Sequence, residues 1–508
     1  MGVAPDSNGP PTDLSELKRK SVRGGAFTLV SQGAMVLIQL VSAVVLARLL
    51  SPEDYGTIAM VMVVTAFAGL FRDLGLSSAA IQKANLTHAQ QSNLFWINIL
   101  LGLSLTALLA AASPLVAAFY GKPELVWLTL ALSPIFLIGS ISSQSGALLV
   151  REMRFGQNAV ANVAGALVGL VVSVWLALHG FRFWSLAWGQ LSGAVTTTII
   201  LFILSPFRPG LPKRGTGLRD MLKFGANVTA FDLVNYFHRN LDNILIGRVW
   251  GTESLGLYSR AYTLLMLPIN SIRGPLNSVA FPAMSRLQAE PEAFRTYYRR
   301  VASMLALISM PLAAFLFVTS ESVVSVLLGP QWSGVSAIFT ILATVAFVQP
   351  VITLWGMVTV SRGMGRRYLR LGLLNTLCSV IGFLVGLPWG PVGVAVGYAI
   401  VTYVTAYPIL VYAFRDTPVK VSDFMQSIFR PAISSISTAG LCFAITMLLP
   451  PIPDLVLVIV IGTLFLPAYF TILYFLPGGR GEVLYVWRLI RPLLEQHLGL
   501  KCSDRVQG

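Results

Sequence analysis

One stretch of this 508-residue chain gathers charged and amide side chains inside an apolar run. Wound at 100° per residue, Asp232, Asn235, Arg239, Asp242 and Asn243 fall within an arc of roughly 100° over about 15 Å of rise. The opposite face offers Phe231, Val234, Leu241 and Leu245. A charge at the centre of a membrane helix costs about 2.5–3.5 kcal/mol, so the stripe must face protein or a watery cavity, not lipid. Two chemistries suit it. It is the wall of a cavity for a polar cargo, with Asp242 and Asp232 as candidate coupling groups. Or it is a salt-bridge strip, with Arg239 three residues before Asp242.

The next apolar run repeats the theme. Asn270, Arg273 and Asn277 share a face, with Pro268, Pro275 and Pro282 interleaved. Prolines free carbonyls that need other partners, which suits a bent helix beside a cavity. The arginine fork can hold a phosphate or pyrophosphate bidentately; alternatively Arg273 anchors the helix end. Arg72, with Asp73 beside it, reads either as a local pair or as a further cavity contact; His238 and Arg260 are the remaining in-span charges. Arg48 and Arg248 occupy equivalent places, each with an acid five residues on, Glu53 and Glu253. These four read as an outer-gate salt bridge or an interface anchor. The four histidines are scattered, no CxxC occurs, and three cysteines form no disulfide framework. Neither a metal site nor a cofactor is expected.

These residues need elements to hold them. The chain is 55% hydrophobic and only 11% charged, where a soluble domain carries about 25%. Its mean hydropathy is +0.74. Soluble and disordered classes are excluded, as is an outer-membrane barrel, whose strands alternate. The pattern predicts an all-α, polytopic membrane protein of about fourteen spans: 24–46, 55–80, 90–112, 125–149, 157–178, 183–204, 221–247, 255–283, 296–320, 335–361, 369–387, 392–414, 428–449 and 455–476. An even number places both termini on one side.

The net charge of +15 decides between partners. Under a cytoplasmic N-terminus the inner segments carry about 28 basic residues, and the outer turns only Arg48, Lys122, Arg182 and Arg248. A bias of about seven to one is a strong positive-inside signal. It excludes nucleic acid, because the excess alternates with the spans instead of clustering. Residues 205–220, rich in Pro, Gly and basic side chains, read as a cytoplasmic linker between six-helix lobes at 21–204 and 221–414. Residues 1–20 read as a disordered cytoplasmic arm, 428–476 as two additional helices, and 480–508 as an amphipathic tail on the inner leaflet. At an offset of 200 positions, Arg19, Gly25, Ala26, Arg48, Glu53 and Gly56 meet Arg219, Gly225, Ala226, Arg248, Glu253 and Gly256. That is a parallel pseudo-repeat, a transporter architecture.

The blocks ARLLSPEDYG (47–56), FRDLGL (71–76), REMRF (151–155), VNYFHRNLDNILIG (234–247), LGLYSRAYTLLMLPIN (255–270), LGPQW (328–332) and GLPWGPVGVA (386–395) carry a family resemblance. The sequence resembles the polysaccharide-transporter family, the exporters of lipopolysaccharide, colanic-acid and exopolysaccharide repeat units, within the multidrug/oligosaccharidyl-lipid/polysaccharide flippase superfamily. The resemblance implies two six-helix lobes, two extra C-terminal helices and alternating access. It implies a flippase for an undecaprenyl-pyrophosphate-linked oligosaccharide in a bacterial inner membrane, with other polysaccharide-export proteins as candidate partners. A cationic cavity for the pyrophosphate would suit Arg239, Arg273 and Arg72. In that family the position of Asp232 is often an amide, so Asp242 ranks above it. A rival within the fold is a cation-coupled small-molecule exporter of the multidrug type. A membrane polymerase or ligase would need a sizeable outer loop. No outer loop exceeds about fifteen residues, so an enzyme is not expected.

Overall fold

The structure, a computed structural model, describes residues 14–77, 80, 86–213 and 219–484; side chains are described from residue 30 on, except at 219–235, 237–239 and 275. Among the described residues the regular elements are helices and short 3-10 turns. The first half comprises α1 (Leu14–Leu49), α2 (Pro52–Gly69), α3 (His88–Tyr120), α4 (Glu124–Leu132), α5 (Ile135–Arg151), α6 (Phe155–Leu178) and α7 (Phe183–Leu204). Then come the long α8 (Arg219–Arg286), α9 (Pro291–Val318), α10 (Ser320–Leu328), α11 (Gly334–Ile352), α12 (Leu354–Ser361), α13 (Gly365–Gly386), α14 (Gly390–Phe414), α15 (Val421–Leu448) and α16 (Asp454–Phe475).

Among the described residues, ten segments are long and apolar enough to cross a membrane. One of them, Gly365–Phe414, breaks at Leu387–Trp389 into two helices. Counting α2 and the two arms of α8 as crossings brings the number among the described residues to fourteen, in line with the hydropathy pattern.

Three interruptions, all inside expected spans, are what hydropathy does not see; the Gly251 bend falls in an expected turn. The expected span 55–80 stops at Gly69, and residues 70–75 turn, with Leu74 and Gly75 at φ 43° and 66°. Asp73 then accepts from the Ser77 amide at 3.0 Å and the Ser77 hydroxyl at 2.7 Å, capping the segment that restarts at Leu76. The expected span 125–149 is cut at Ser133 and Pro134, and 335–361 is cut at Thr353, three residues after Pro350. Pro134 withholds the amide that would continue the first ladder, whereas Pro350 lies inside its helix and the Thr353 amide still donates to the Gln349 carbonyl at 3.0 Å. Residues 221–283 are one helical element bent at Gly251 (φ 79°, ψ −170°), a conformation that only glycine adopts without strain. The arms fold back, since Tyr258 reaches Asp242 across the bend.

Two further boundaries differ from the sequence reading. Helix α1 already begins at Leu14, so 14–20 are helical rather than disordered; LSELKRK is built of good helix formers. Residues 1–13 lie outside the described residues, as does the tail from 485 on. The linker's first part is strapped to α3. Trp96 Nε1 donates to the Gly210 carbonyl (2.9 Å), the Gly210 amide donates to Ser92 Oγ (3.0 Å), and Asn93 bonds Lys213 in both directions (2.6 and 2.8 Å). Pro206, Pro209 and Pro212 stiffen the strap.

The chain forms two compact units: Met1–Arg260 with Leu327–Trp332 and Phe383–Val394, and Ala261–Val326 with Ser333–Gly382 and Ala395–Gly508. In the first, α6 and α7 meet along glycines. A Cβ at Gly169 would lie 2.8 Å from the Gly189 carbonyl, and one at Gly193 would lie 2.9 Å from that of Gly165. In the second, α9 packs on α11 and α15 around Phe294, Tyr298, Leu305, Met310 and Val358, and α16 packs on α15. The Asp423 carboxylate caps α15 and accepts from Arg295 Nε at 2.8 Å, so the first additional helix is pinned to α9 by a buried acid.

Candidate functional site

The polar stripe of α8 begins in its first arm. Asp232, Asn235 and Arg239 are on the helix, but their side chains lie outside the described residues. Asp242, only 6% exposed, accepts from Tyr258 Oη at 2.9 Å and from the Asn243 amide at 2.8 Å. Asn243 is half-buried and its Oδ1 has no hydrogen-bond partner. Tyr236, on the same arm, donates its hydroxyl to the Val63 carbonyl of α2. The stripe therefore meets protein on one side, through two tyrosines that sequence periodicity does not single out.

The second arm carries Arg260, which the sequence marks only as an in-span charge. Its guanidinium carbon sits 3.9 Å from the centre of the Tyr55 ring, and its Nε makes no hydrogen bond. Among the described residues no carboxylate pairs with it. An arginine in a spanning segment is normally matched by an acid; here an aromatic face partly compensates it, worth about 0.5–2 kcal/mol. Further along the arm, Asn270 is exposed, Arg273 is half-buried, and Asn277 is half-buried with an unpartnered Oδ1. Asn270, Arg273 and Asn277 lie beyond the boundary of the first unit, whereas Asp242, Asn243 and Arg260 lie within it.

Arg72 and Asp73 are not the local pair that adjacency suggests. Asp73 is turned to Ser77 and to Ser143 of α5, whose hydroxyl donates at 2.7 Å. Arg72 is exposed and lies along Gly139, where a Cβ would meet Nη1 at 2.6 Å. The helix break at 70–75 points neighbouring side chains in different directions.

Two of the four expected gate residues, Glu53 and Arg248, find unforeseen neighbours. Glu53 pairs with Lys122 at 3.7 Å and with Arg182 at 3.3 Å. Asp54, buried, completes a capping box with Ser51 and meets Arg182 Nε at 3.1 Å. Both acids occupy the first turn of α2, where the helix dipole favours them. The cations come from the turns after α3 and α6, about 70 and 130 residues away, beyond any spacing rule. Arg248 is exposed and stacks over Phe119 at 5.8 Å; Arg48 and Glu253 are exposed. Arg182 itself is held at φ 48°. Among the described residues no group of His, Cys, Asp or Glu is arranged to hold a metal.

Fourteen crossings with charge and amides concentrated on one bent helix define a polytopic helical membrane protein of the flippase and multidrug-exporter fold. Solved structures share that fold. The Lipid II flippase MurJ in an inward closed conformation superposes with a TM-score of 0.73 over 93% of this chain and 100% of its own, at 14% identity. An inward-facing multidrug resistance MATE family transporter gives 0.57 over 78% and 95%, at 18% identity. The family follows from the sequence profile: residues 45–337 match that of the polysaccharide biosynthesis proteins, and the chain belongs to that family. Relatives include the lipopolysaccharide biosynthesis protein WzxC of Escherichia coli (strain K12), 24% identical over 85% of this chain and 89% of its own length. The teichuronic acid biosynthesis protein TuaB of Bacillus subtilis (strain 168) is 26% identical over 85% and 90%.

Proposed function

We propose that this protein is a flippase for an undecaprenyl-pyrophosphate-linked oligosaccharide. It carries the repeat unit from the cytoplasmic to the outer leaflet of a bacterial inner membrane by alternating access, without covalent chemistry. The product serves lipopolysaccharide, capsule or exopolysaccharide export. Both termini and the 205–220 linker face the cytoplasm, and the lobes 21–204 and 221–414 are the alternating bodies. Arg260 carries this reading: a guanidinium in a spanning arm, laid on an aromatic ring, with no carboxylate pairing among the described residues. Among the described residues no anion matches this group, and a pyrophosphate head group would supply one. Arg239, Arg273 and Arg72 are the further candidate pyrophosphate-binding cations, the amides Asn235, Asn243, Asn270 and Asn277 bind sugar hydroxyls, and Asp242, with Asp232, couples the movement to a cation. The names of the relatives support a place in polysaccharide biosynthesis.

Purified protein in liposomes containing the labelled lipid-linked oligosaccharide tests this. Cargo protected from an impermeant glycosidase in the inner leaflet becomes cleavable, and its chain length stays constant. Cargo that stays protected, or a longer glycan product, would overturn the proposal.

A further inference from the structure

Ala47 lies in the last turn of α1, and its carbonyl has lost its ordinary helical partner. The amide that would reach it is that of Ser51, which instead donates to Asp54 Oδ2 at 3.1 Å in the cap of α2. Ala47 is fully buried, so water cannot replace that bond. Two donors from more than 280 residues away fill the gap: Gln331 Nε2 at 2.9 Å and Trp332 Nε1 at 2.8 Å.

The segment that supplies them is short and preformed. Gly329, at φ 99°, turns the chain out of α10, and Pro330–Trp332 forms a single 3-10 turn. The Trp332 amide closes it on the Gly329 carbonyl at 3.1 Å. Trp332 has no exposed surface, and its indole stands edge-on to Tyr55 at 5.4 Å. The same Tyr55 ring carries Arg260. Around it the backbones touch: the Pro52 carbonyl occupies the place of a Cβ on Gly256, and the Thr252 carbonyl that of one on Gly56. Residues 327–332 belong to the first compact unit, yet the chain on both sides of them belongs to the second. A six-residue insert thus covers the α1–α2 end with two hydrogen bonds and one indole.

We infer that residues 327–332 are a releasable latch over the α1–α2 turn, with Trp332 as its bolt and Gln331 as its second contact. Under the flippase reading, on which its role in transport rests, this turn is at the periplasmic end, where cargo leaves. The contacts suit reversal. They converge on one carbonyl, which water can satisfy once the turn lifts, and the turn keeps its own fold through Gly329 and Pro330.

A labelling rate reads the latch directly. Cys378, Cys442 and Cys502 are replaced by Ser, and Ala47→Cys is the reporter, in protein held in nanodiscs and open to reagent from both faces. Trp332→Ala raises the maleimide rate at Cys-substituted position 47 about tenfold, because the rate follows the open population. Trp332→Phe keeps the ring edge, loses the donor, and gives an intermediate rise. Gln331→Leu, at an exposed position, gives a smaller rise with less risk to folding. Trp389→Ala, at a 72% exposed position, changes nothing. Ala161→Cys, buried in α6 of the same unit, reports general loosening. An unchanged rate in both Trp332→Ala and Gln331→Leu would overturn the latch, as would an equal rise at the position-161 reporter. These rates need no substrate. A parent chain that moves no lipid-linked oligosaccharide refutes the flippase reading and leaves the latch standing; flat rates in a chain that flips refute the latch alone.

Discussion

Arg260 and Arg239 are both arginines on α8, yet they pose different questions. Arg260 rests on Tyr55 with its Nε unpartnered. Its removal therefore breaks no ion pair among the described residues, and loss of function in Arg260→Ala at normal protein level would report on cargo. We expect flipping in liposomes to fall at least about tenfold in Arg260→Ala and to recover partly in Arg260→Lys, which keeps charge but not the planar fork. Equal loss in both, with a lowered melting temperature, would mark a packing role. Arg239 stands one turn from Asp242, and a bond between them is the competing account. If Arg239→Ala with Asp242→Ala restores near-normal flipping, that pair is structural. If flipping stays lost while the protein inserts normally, Arg239 acts on cargo. Asp242 already has Tyr258 as a donor at 2.9 Å. Tyr258→Phe leaves a buried carboxylate oxygen without it and lowers stability by about 1–3 kcal/mol, read as a melting shift. Sequence periodicity proposes the stripe because its members are three and four residues apart. It could not find Tyr55 under Arg260 or Trp332 beside Tyr55, because nothing in a one-dimensional pattern links residues about 200 and 280 positions apart.

At the scale of elements, glycine spacing does what hydropathy cannot. Gly165 and Gly169 on α6 face Gly189 and Gly193 on α7; Gly382 and Gly386 on α13 face Gly393 and Gly397 on α14. Each hairpin closes backbone to backbone over pairs four residues apart, the close approach that small residues permit in lipid. The recurrence falls on the fifth and sixth crossings of each half, an echo of the pseudo-repeat independent of the offset of 200. A Cβ at Gly393 would stand 2.6 Å from Cβ of Trp389 and would overlap the Gly386 carbonyl. Gly393→Ala must part the hairpin, and we expect a clear drop in melting temperature and folded yield. Gly372→Ala, on α13 with nothing within 4 Å, gains up to about 1 kcal/mol from helix propensity. Equal behaviour of the two variants would refute the seam. The spans were legible because each is a long apolar run, although α3 runs eight residues past its expected end and α15 starts seven residues before its expected start. The breaks at 70–75, Ser133–Pro134 and Thr353 were not, because each is only one to six residues inside a continuous apolar run, whereas the bend at Gly251 falls in the expected turn between 221–247 and 255–283. The start of α1 at Leu14 was missed for the opposite reason: a polar helix outside the apolar run has no hydropathic signal.

Across the whole molecule, fourteen crossings sort the turns into two sets. One set, near residues 50, 122, 180, 251, 331, 388 and 451, contains Arg48, Lys122, Arg182 and Arg248 and few other cations. Exposed Trp127, Trp175, Trp250 and Trp389 lie beside these turns, where amphipathic rings settle at a membrane surface. The other set, from the 70–87 segment to the C-terminal tail, holds most of the basic side chains, among them exposed Arg286, Arg300, Arg366, Arg370 and Arg415. The positive-inside rule places such residues on the cytoplasmic side, and the proposed direction of transport rests on that tally rather than on any single residue. The cations on the sparse side are also largely engaged: Lys122 and Arg182 with the acids of α2, and Arg248 with Phe119. That leaves little free positive charge to hold an anionic cargo after release. Single cysteines test the sidedness in intact cells, with the three native cysteines changed to Ser. Lys122→Cys should react with an impermeant maleimide added outside, and Arg366→Cys only after permeabilisation. The reverse pattern would turn the latch at residues 327–332 into a cytoplasmic feature and invert the proposed direction. Labelling of both from outside would remove the even number of crossings on which the shared side of the two termini depends.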